Sequence, residues 1–437
     1  MKRGLCFLMV TLLVLSTVGC KGDGFSKNKA ATTLKVLYYD EATFYSKYGS
    51  LFMAQNPEIN VEVVSTAAIR PLEMDKFIEE QAPDVLMLNS NQYEKYADDG
   101  MLYDLESLIR KDKFNLEGIA PTVIDTIKAM SGGRLYGLSP FFSSQAIYYN
   151  IDLFDRIGVT YPKDQMNWEE VLQLAQRFPT TDGDSKIYGL MLNRYDVNPY
   201  NAALQIGYAQ GLSYYDAENM KMTIHTNAWS KVFQLTIDAL KTGAIFQNVG
   251  GNGFTPGLSN EEVIKQDPFF SGKIAMIIST NDYRSELKRA ETNLGEQMPE
   301  WDLVTVPIDL SNPDTGNAIW IEDIATIRAQ SSNLQAAWSF VSYINSDEFA
   351  RVASKASING SMPTRTAYIK DEKGHHLEAF YALKPYPNTI QGSDKIPQNF
   401  YQTFETIARQ EITAVYEGRK TIDEALFILQ QRGQALF

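Results

Sequence analysis

The stretch Arg134–Phe154, RLYGLSPFFSSQAIYYNIDLF, decides how the rest of the chain is read. The glycine pair Gly132-Gly133 precedes it, and apolar residues then run to Pro140. Ser143, Ser144 and Gln145 make a short polar step before the apolar run resumes as AIYYN. This predicts two short extended segments meeting end to end with a flexible step between them. A chain that leaves one domain and enters another without a linker has this pattern. The polar step then lies at the boundary between two bodies, where ligands are often held.

Upstream, Leu34–Tyr39 is a β-branched and aromatic run that predicts a strand. Phe44, Tyr48, Leu51 and Phe52 follow on one helical face, and the helix should stop before Asn56-Pro57. Ile59, Val61 and Val63 alternate with polar neighbours as a half-buried strand does. A second helix over Met74–Glu80 leads past Pro83 to the run Asp84–Leu88. Strand, helix, strand, helix, strand predicts a mostly parallel sheet covered by helices. The polar turn Asn89-Ser90-Asn91 then sits beyond a strand's C-terminal end, where open α/β sheets hold ligands.

Downstream, Asn167 and Glu170 have the spacing of a capping box, with Val171, Leu174, Ala175 and Phe178 as the buried face. A helix is expected over Trp229–Leu240, strands over Ile274–Ile278, Trp301–Ile308 and Ile319–Ile327, and a helix starting at Ser332-Asn333. Thr421 with Glu424 gives a second capping box ahead of the last helix. Trp168 and Trp338 fall on apolar helical faces and are assigned to the core. The glycine-rich segment Gly250–Gly257 lacks the spacing of a phosphate loop, and GxxxxGK[ST] occurs nowhere.

The N-terminus bears on location. Lys2 and Arg3 precede an apolar run, Leu5–Val18, of signal-peptide length and too short to cross a bilayer comfortably. Ser-Thr-Val-Gly-Cys20 resembles the lipobox of bacterial lipoproteins, except that Thr17 stands where Leu is preferred. The resemblance implies a signal peptide over 1–19, lipidation of Cys20 and a polar tether over 20–33. The only cysteines are Cys6 and Cys20, so the body has no disulfide. A net charge of −13, with no Lys/Arg cluster, argues against a nucleic-acid partner.

Several further segments, in register, resemble the family 1 extracellular solute-binding proteins, the substrate receptors of carbohydrate ABC importers. They are APDVLMLNSNQYEKYADDGMLYDL, GGRLYGLSPFFSSQAIYYNIDLFDRIGV followed by NWEEVLQLA, FFSGKIAMII, and AAWSFVSYINSDEFARVASKASINGSMPTR. The resemblance implies an α/β, two-lobed periplasmic-binding-protein-like fold of type II kind, with the ligand cleft between lobes joined by several crossing strands. It implies crossings near Pro140–Gln145, near Trp320 and near Tyr368–Lys373. The first lobe is then 34–142 plus 320–369, and the second 143–319 plus 370–437. It also implies a carbohydrate ligand, permease subunits as membrane partners, a monomer, and neither catalysis nor a cofactor.

A sugar needs flat rings against its apolar faces and fixed polar groups for its hydroxyls. Candidates beyond the strand ends are Tyr39 and Asp40, then Asn89, Asn91 and Gln92. Gln145 lies at the first crossing, and Asp282 and Tyr283 follow the strand IAMIIST. Trp320, Glu322 and Asp323 lie at the second crossing, with Tyr195, Tyr200 and Tyr401 in the second lobe. Each has a structural alternative: Trp320 packing the hinge, Tyr283 resting on its own lobe, Asn89 and Asn91 capping a helix, Glu322 and Asp323 pairing with basic residues. Phe141 and Phe142 are expected to pack the hinge. Rival functions are a same-fold receptor for a peptide, polyamine or metal, or for a signalling kinase, and a surface glycoside hydrolase using two carboxylates. His375-His376 with Glu378 is the one weak metal pattern, and three histidines in all argue against it.

Overall fold

The computed structural model describes residues 32–437 apart from 179, 183–184, 193–197, 248–259, 296–297, 317, 356–359, 386–395 and 398. The expected loop at Gly250–Gly257 and Tyr195 therefore lie outside the described residues. Strands in the first half are β1 (Thr32–Tyr38), β2 (Ile59–Ser65), β3 (Val85–Leu88), β4 (Gly137–Leu138), β5 (Phe141–Asn150), β6 (Thr180–Asp182) and β7 (Ser185–Met191). After the small hairpin β8 (Tyr215–Asp216) and β9 (Lys221–Met222) come β10 (Ile274–Thr280), β11 (Trp301–Thr305) and β12 (Thr315–Gly316). The last are β13 (Ile319–Trp320), β14 (Ile324–Ile327), β15 (Met362–Pro363) and β16 (Lys384–Pro385).

The first sheet has the order β2-β1-β3-β14-β4, with β1 parallel to β2 and β3 and with β14 antiparallel to β3. Its central strand β3 is buried at all four positions, whereas the edge strand β2 buries Ile59 and Val61 and exposes Asn60 and Glu62. Helices on both faces account for the first pattern and a half-covered edge for the second. The predicted helix after β1 forms over 41–55, with a π-helical stretch at Tyr45–Gly49. Buried Asp84 ties β1 to the turn beyond β14. Its carboxylate accepts from Ser331 Oγ (2.7 Å), Asn333 Nδ2 (3.2 Å) and the Lys35 N–H (3.1 Å).

The second sheet has the order β11-β5-β10-β7-β6. The capping boxes at Asn167/Glu170 and Thr421/Glu424 are both present. Trp168 and Trp338 are each nearly fully buried, as their helical positions required. One apolar core fills the first lobe and continues through Phe142, Tyr148 and Phe380 onto one face of the second sheet; a separate core covers that sheet's other face.

Two expectations need correction. The opening stretch is not two segments with a flexible step, because β5 is one ten-residue strand with Ser143, Ser144 and Gln145 inside it. Its polar groups are satisfied there: the buried Ser144 hydroxyl donates to the Phe380 carbonyl (2.6 Å), and the Gln145 N–H donates to the Ala318 carbonyl (3.1 Å). Conversely, the single strand expected over Ile319–Ile327 is two. β13 pairs with β5 while β14 pairs with β3, and Asp323 turns the chain between them at φ 55°.

Candidate site on the crossing strands

Three segments lie side by side where the lobes join. β15 pairs with Phe141 and Phe142, and β13 pairs with Ser143 and Ser144. Side chains alternate along a strand, and directly paired residues share a face. Phe141, Ser143 and Gln145 therefore lie on one face, together with Pro363, Trp320 and Thr280 from their partners. All three β5 residues and Trp320 are half-buried. The opposite face is closed: Phe142 is buried and meets Tyr381 edge to face, and Ser144 is buried beneath Phe380. The face carrying the Trp320 ring, the Gln145 amide and the Ser143 hydroxyl is the open one.

The ends of the first sheet's strands meet this face. β14 runs antiparallel to β3 with Ile324 opposite Leu88, so Glu322 and Asp323 lie at the same end as Asn89. The Ser90 hydroxyl donates to the Ile321 carbonyl (2.9 Å), fixing the two loops together. Lys47, Phe141, Phe142, Ser143, Glu322, Asp323 and Ser361 surround a small cavity of about 20 Å³, room for about one water.

Most candidates prove to have internal partners. Asp323 Oδ2 accepts from the Tyr48 hydroxyl (2.8 Å), the Tyr38 hydroxyl (3.1 Å) and Lys47 Nζ (3.2 Å). It shapes the site's corner and holds Lys47 there. Burial, then this carboxylate, push the Tyr38 and Tyr48 phenols up from their ordinary value. Asp40 caps the helix after β1, accepting from the Thr43 N–H (2.9 Å), and hydrogen bonding to Thr43 holds its carboxyl below the usual range. Asn89 and Gln92 cap each other's backbone in a capping box. Tyr39 (66% exposed), Asn91 and Glu322 stand in solvent. Asp282 is exposed and accepts from the Thr280 hydroxyl.

Three tyrosines fall elsewhere. Tyr283 is core: its ring stacks on Phe270 (5.5 Å, 11°) and meets Tyr148 edge to face. It shares a helical face with buried Leu287 and Ala290, which turns it toward the sheet. Tyr200 is likewise buried, against Phe404. Tyr401 is exposed, with its hydroxyl 3.0 Å from that of Tyr215, and its ring contacts are Tyr215 and Phe400 rather than any crossing residue.

Ser143 and Ser90 belong to the polar step and the polar turn that the sequence marks, whereas nothing in the sequence singles out Lys47 or Asn281. Asn281 is buried and bolts two crossings together, its Oδ1 accepting from the Ser144 N–H and its Nδ2 donating to the Gly360 carbonyl (both 2.6 Å). Gly360 has φ 74°, and a Cβ there would lie 2.4 Å from that of Asp282, so the close approach requires glycine. The NDYRSEL pattern after β10 was the available signal, but it drew attention to the ring at Tyr283 rather than to the amide two residues earlier.

Among the described residues no group of His, Cys, Asp and Glu could hold a metal ion, and no helix is long and apolar enough to cross a membrane.

Two α/β lobes sharing strands, with an open polar and aromatic face at the junction, define a two-lobed binding protein of the periplasmic type. The chain belongs to the bacterial extracellular solute-binding proteins, whose family pattern it matches over residues 32–350. It is 23% identical over 400 residues to a putative binding protein of Brucella abortus, covering 88% of this chain and 87% of that one. It is 22% identical over 260 residues to the arabinooligosaccharide-binding protein of Bacillus subtilis, 57% of each chain. Its fold is similar to that of the sugar-binding protein MalE of Xanthomonas citri, with a TM-score of 0.66 at 18% identity over 93% of this chain and 97% of that one.

Proposed function

We propose that this protein is a lipid-anchored receptor at the outer face of the cytoplasmic membrane that captures a sugar or oligosaccharide between its lobes. It then delivers the ligand to an ABC importer permease. The observation that carries the reading is the open face of the crossing strands. There a half-buried indole, Trp320, stands directly opposite Ser143, with Gln145 two residues further along β5 on the same face, which is the mixture a saccharide needs. The B. subtilis and X. citri proteins, by their names, bind sugars, which supports the same ligand class. Cys20 is the lipidation site, and the polar residues to 33 form the tether. The first lobe is 34–142 with 320–369, the second 143–319 with 370–437, and the protein acts as a monomer.

Trp320, Gln145, Glu322, Tyr39 and Asn91 are the binding residues, with Asp40, Asn89, Gln92, Asp282 and Asp323 shaping the cleft. Ligand touching both lobes favours the closed form by its differential affinity, and the crossing strands are the pivot. In this reading the ligand leaves unaltered and the protein acts as a carrier and not as an enzyme, which its membership of a solute-binding family supports.

A thermal-shift screen with neutral mono- and oligosaccharides tests the ligand class. A true ligand at 100 times its dissociation constant adds roughly 2.7 kcal/mol. No shift with any saccharide, alongside a shift with a peptide or polyamine, would sink the sugar reading. Trp320→Ala should weaken binding by about tenfold or more in calorimetry while leaving the ligand-free melting temperature nearly unchanged, since the ring stands half in solvent.

A further inference from the structure

A second, larger cavity of about 470 Å³ adjoins the crossing strands and shares Phe141 and Ser361 with the small one beside Lys47. One wall is a single face of the helix Tyr283–Leu294, whose Arg284, Lys288 and Glu291 recur at helical spacing. The segment of the third expected crossing, Tyr368–Lys373, supplies Lys370 and Lys373 opposite, and Lys355 completes the rim. These five cations face three carboxylates, Glu291, Asp371 and Glu372, in a chain whose net charge is −13.

Two of those carboxylates are already engaged. Glu291 pairs with Lys373 (3.0 Å). Asp371 accepts from the His375 ring (2.8 Å) and from the His375 N–H (2.9 Å). Arg284 donates only to the Lys370 carbonyl (3.3 Å), while Lys288, Lys355 and Lys370 have no ion-pair partner among the described residues. Hydrogen bonds from His375 leave the charge of Asp371 in place, so the lining carries five cations against three carboxylates, an excess of two. Grouping like charges around a hollow costs repulsion, and an anion inside removes it.

We propose that this cavity is an anion subsite of the cleft, so that the captured saccharide carries a carboxylate, as a uronic acid does. The proposal rests on the sugar reading and narrows it. Trp320 lines neither cavity, but Phe141, on the same face of the crossing strands, lines both, so a sugar ring on that face and a carboxylate beside Arg284 and Lys288 would be one ligand. The charged group selects among saccharides, since a neutral sugar leaves the cations without a counter-charge.

The test compares trigalacturonate, its fully methyl-esterified form and inorganic sulfate, by calorimetry and thermal shift on the full mature chain. Trigalacturonate should bind at least about tenfold more tightly than the ester at low salt, the worth of one charged hydrogen bond. That gap should fall below about threefold in the Arg284→Gln/Lys288→Gln double variant, and it should shrink as salt is raised from roughly 20 to roughly 300 mM. Equal binding of acid and ester, a gap that survives in the double variant, or no binding of either form overturns the proposal. So does stabilisation by sulfate equal to that by trigalacturonate, which would make this a site for free anions. In each case a shift with a neutral saccharide leaves the sugar reading standing.

Discussion

Asp323 shows how much one residue at the crossing holds in place. It adopts a left-handed backbone at φ 55° and takes two phenols and an ammonium group on one oxygen. Asp323→Ala removes the acceptor from Tyr38 and Tyr48, both buried, and should cost about 2–4 kcal/mol in denaturant unfolding. Asp323→Asn keeps an acceptor oxygen and tolerates the same backbone, so its loss should be less than half as large. Equal losses in the two variants would show that the carboxylate's charge, removed in both, matters rather than the acceptor oxygen or the backbone. This role was only partly legible in the sequence. The crossing expected near Trp320 marked Trp320, Glu322 and Asp323 for attention, but the pairing of Asp323 with Lys47 and two tyrosines depends on the first lobe's packing. The same gap explains Tyr283. A ring at a helix start faces either the cleft or the sheet, and only the helix's rotation, set by Leu287 and Ala290, decides between them.

At the scale of elements the sequence was more informative, because periodicity and caps are local. The strand–helix alternation of the first lobe, both capping boxes and the burial of Trp168 and Trp338 followed from spacing alone. What spacing missed was pairing. Polar residues at 143–145 look like a break until neighbouring strands supply their hydrogen bonds, and 319–327 looks continuous until its two halves join different sheets. Close packing between elements is also invisible in sequence, and Gly189 on β7 is the sharpest case. A Cβ there would lie 2.0 Å from the Ala175 carbonyl oxygen at the end of the helix Trp168–Ala175. Gly189→Ala must push that helix off the sheet and should cost about 1–3 kcal/mol. A lower urea midpoint at unchanged slope checks this, and an unchanged midpoint would mean the helix shifts freely.

The first lobe's core runs through Phe142, Tyr148 and Phe380 into the second sheet, so the junction is packed apolar material as well as a pivot. Phenols are buried throughout this connected body: Tyr38 and Tyr48 beside Asp323, Tyr93 raised to about 12, and Tyr148 donating to the Thr280 carbonyl at 2.8 Å. Burial is the largest cause in each, and it disfavours the phenolate. A folded value above the unfolded one means the stabilisation is complete below the ordinary tyrosine value of 10.0 and is lost as pH rises past it. Stability should therefore decline from about pH 10 upward, and phenolate absorbance should lag well behind that of free tyrosine until the chain unfolds. Because the core spans both lobes, the buried phenols of both should ionise in one cooperative step, coincident with loss of secondary structure. Two separate absorbance steps, one preceding the loss of helix, would show that the lobes unfold independently and that the junction contributes little to holding them together.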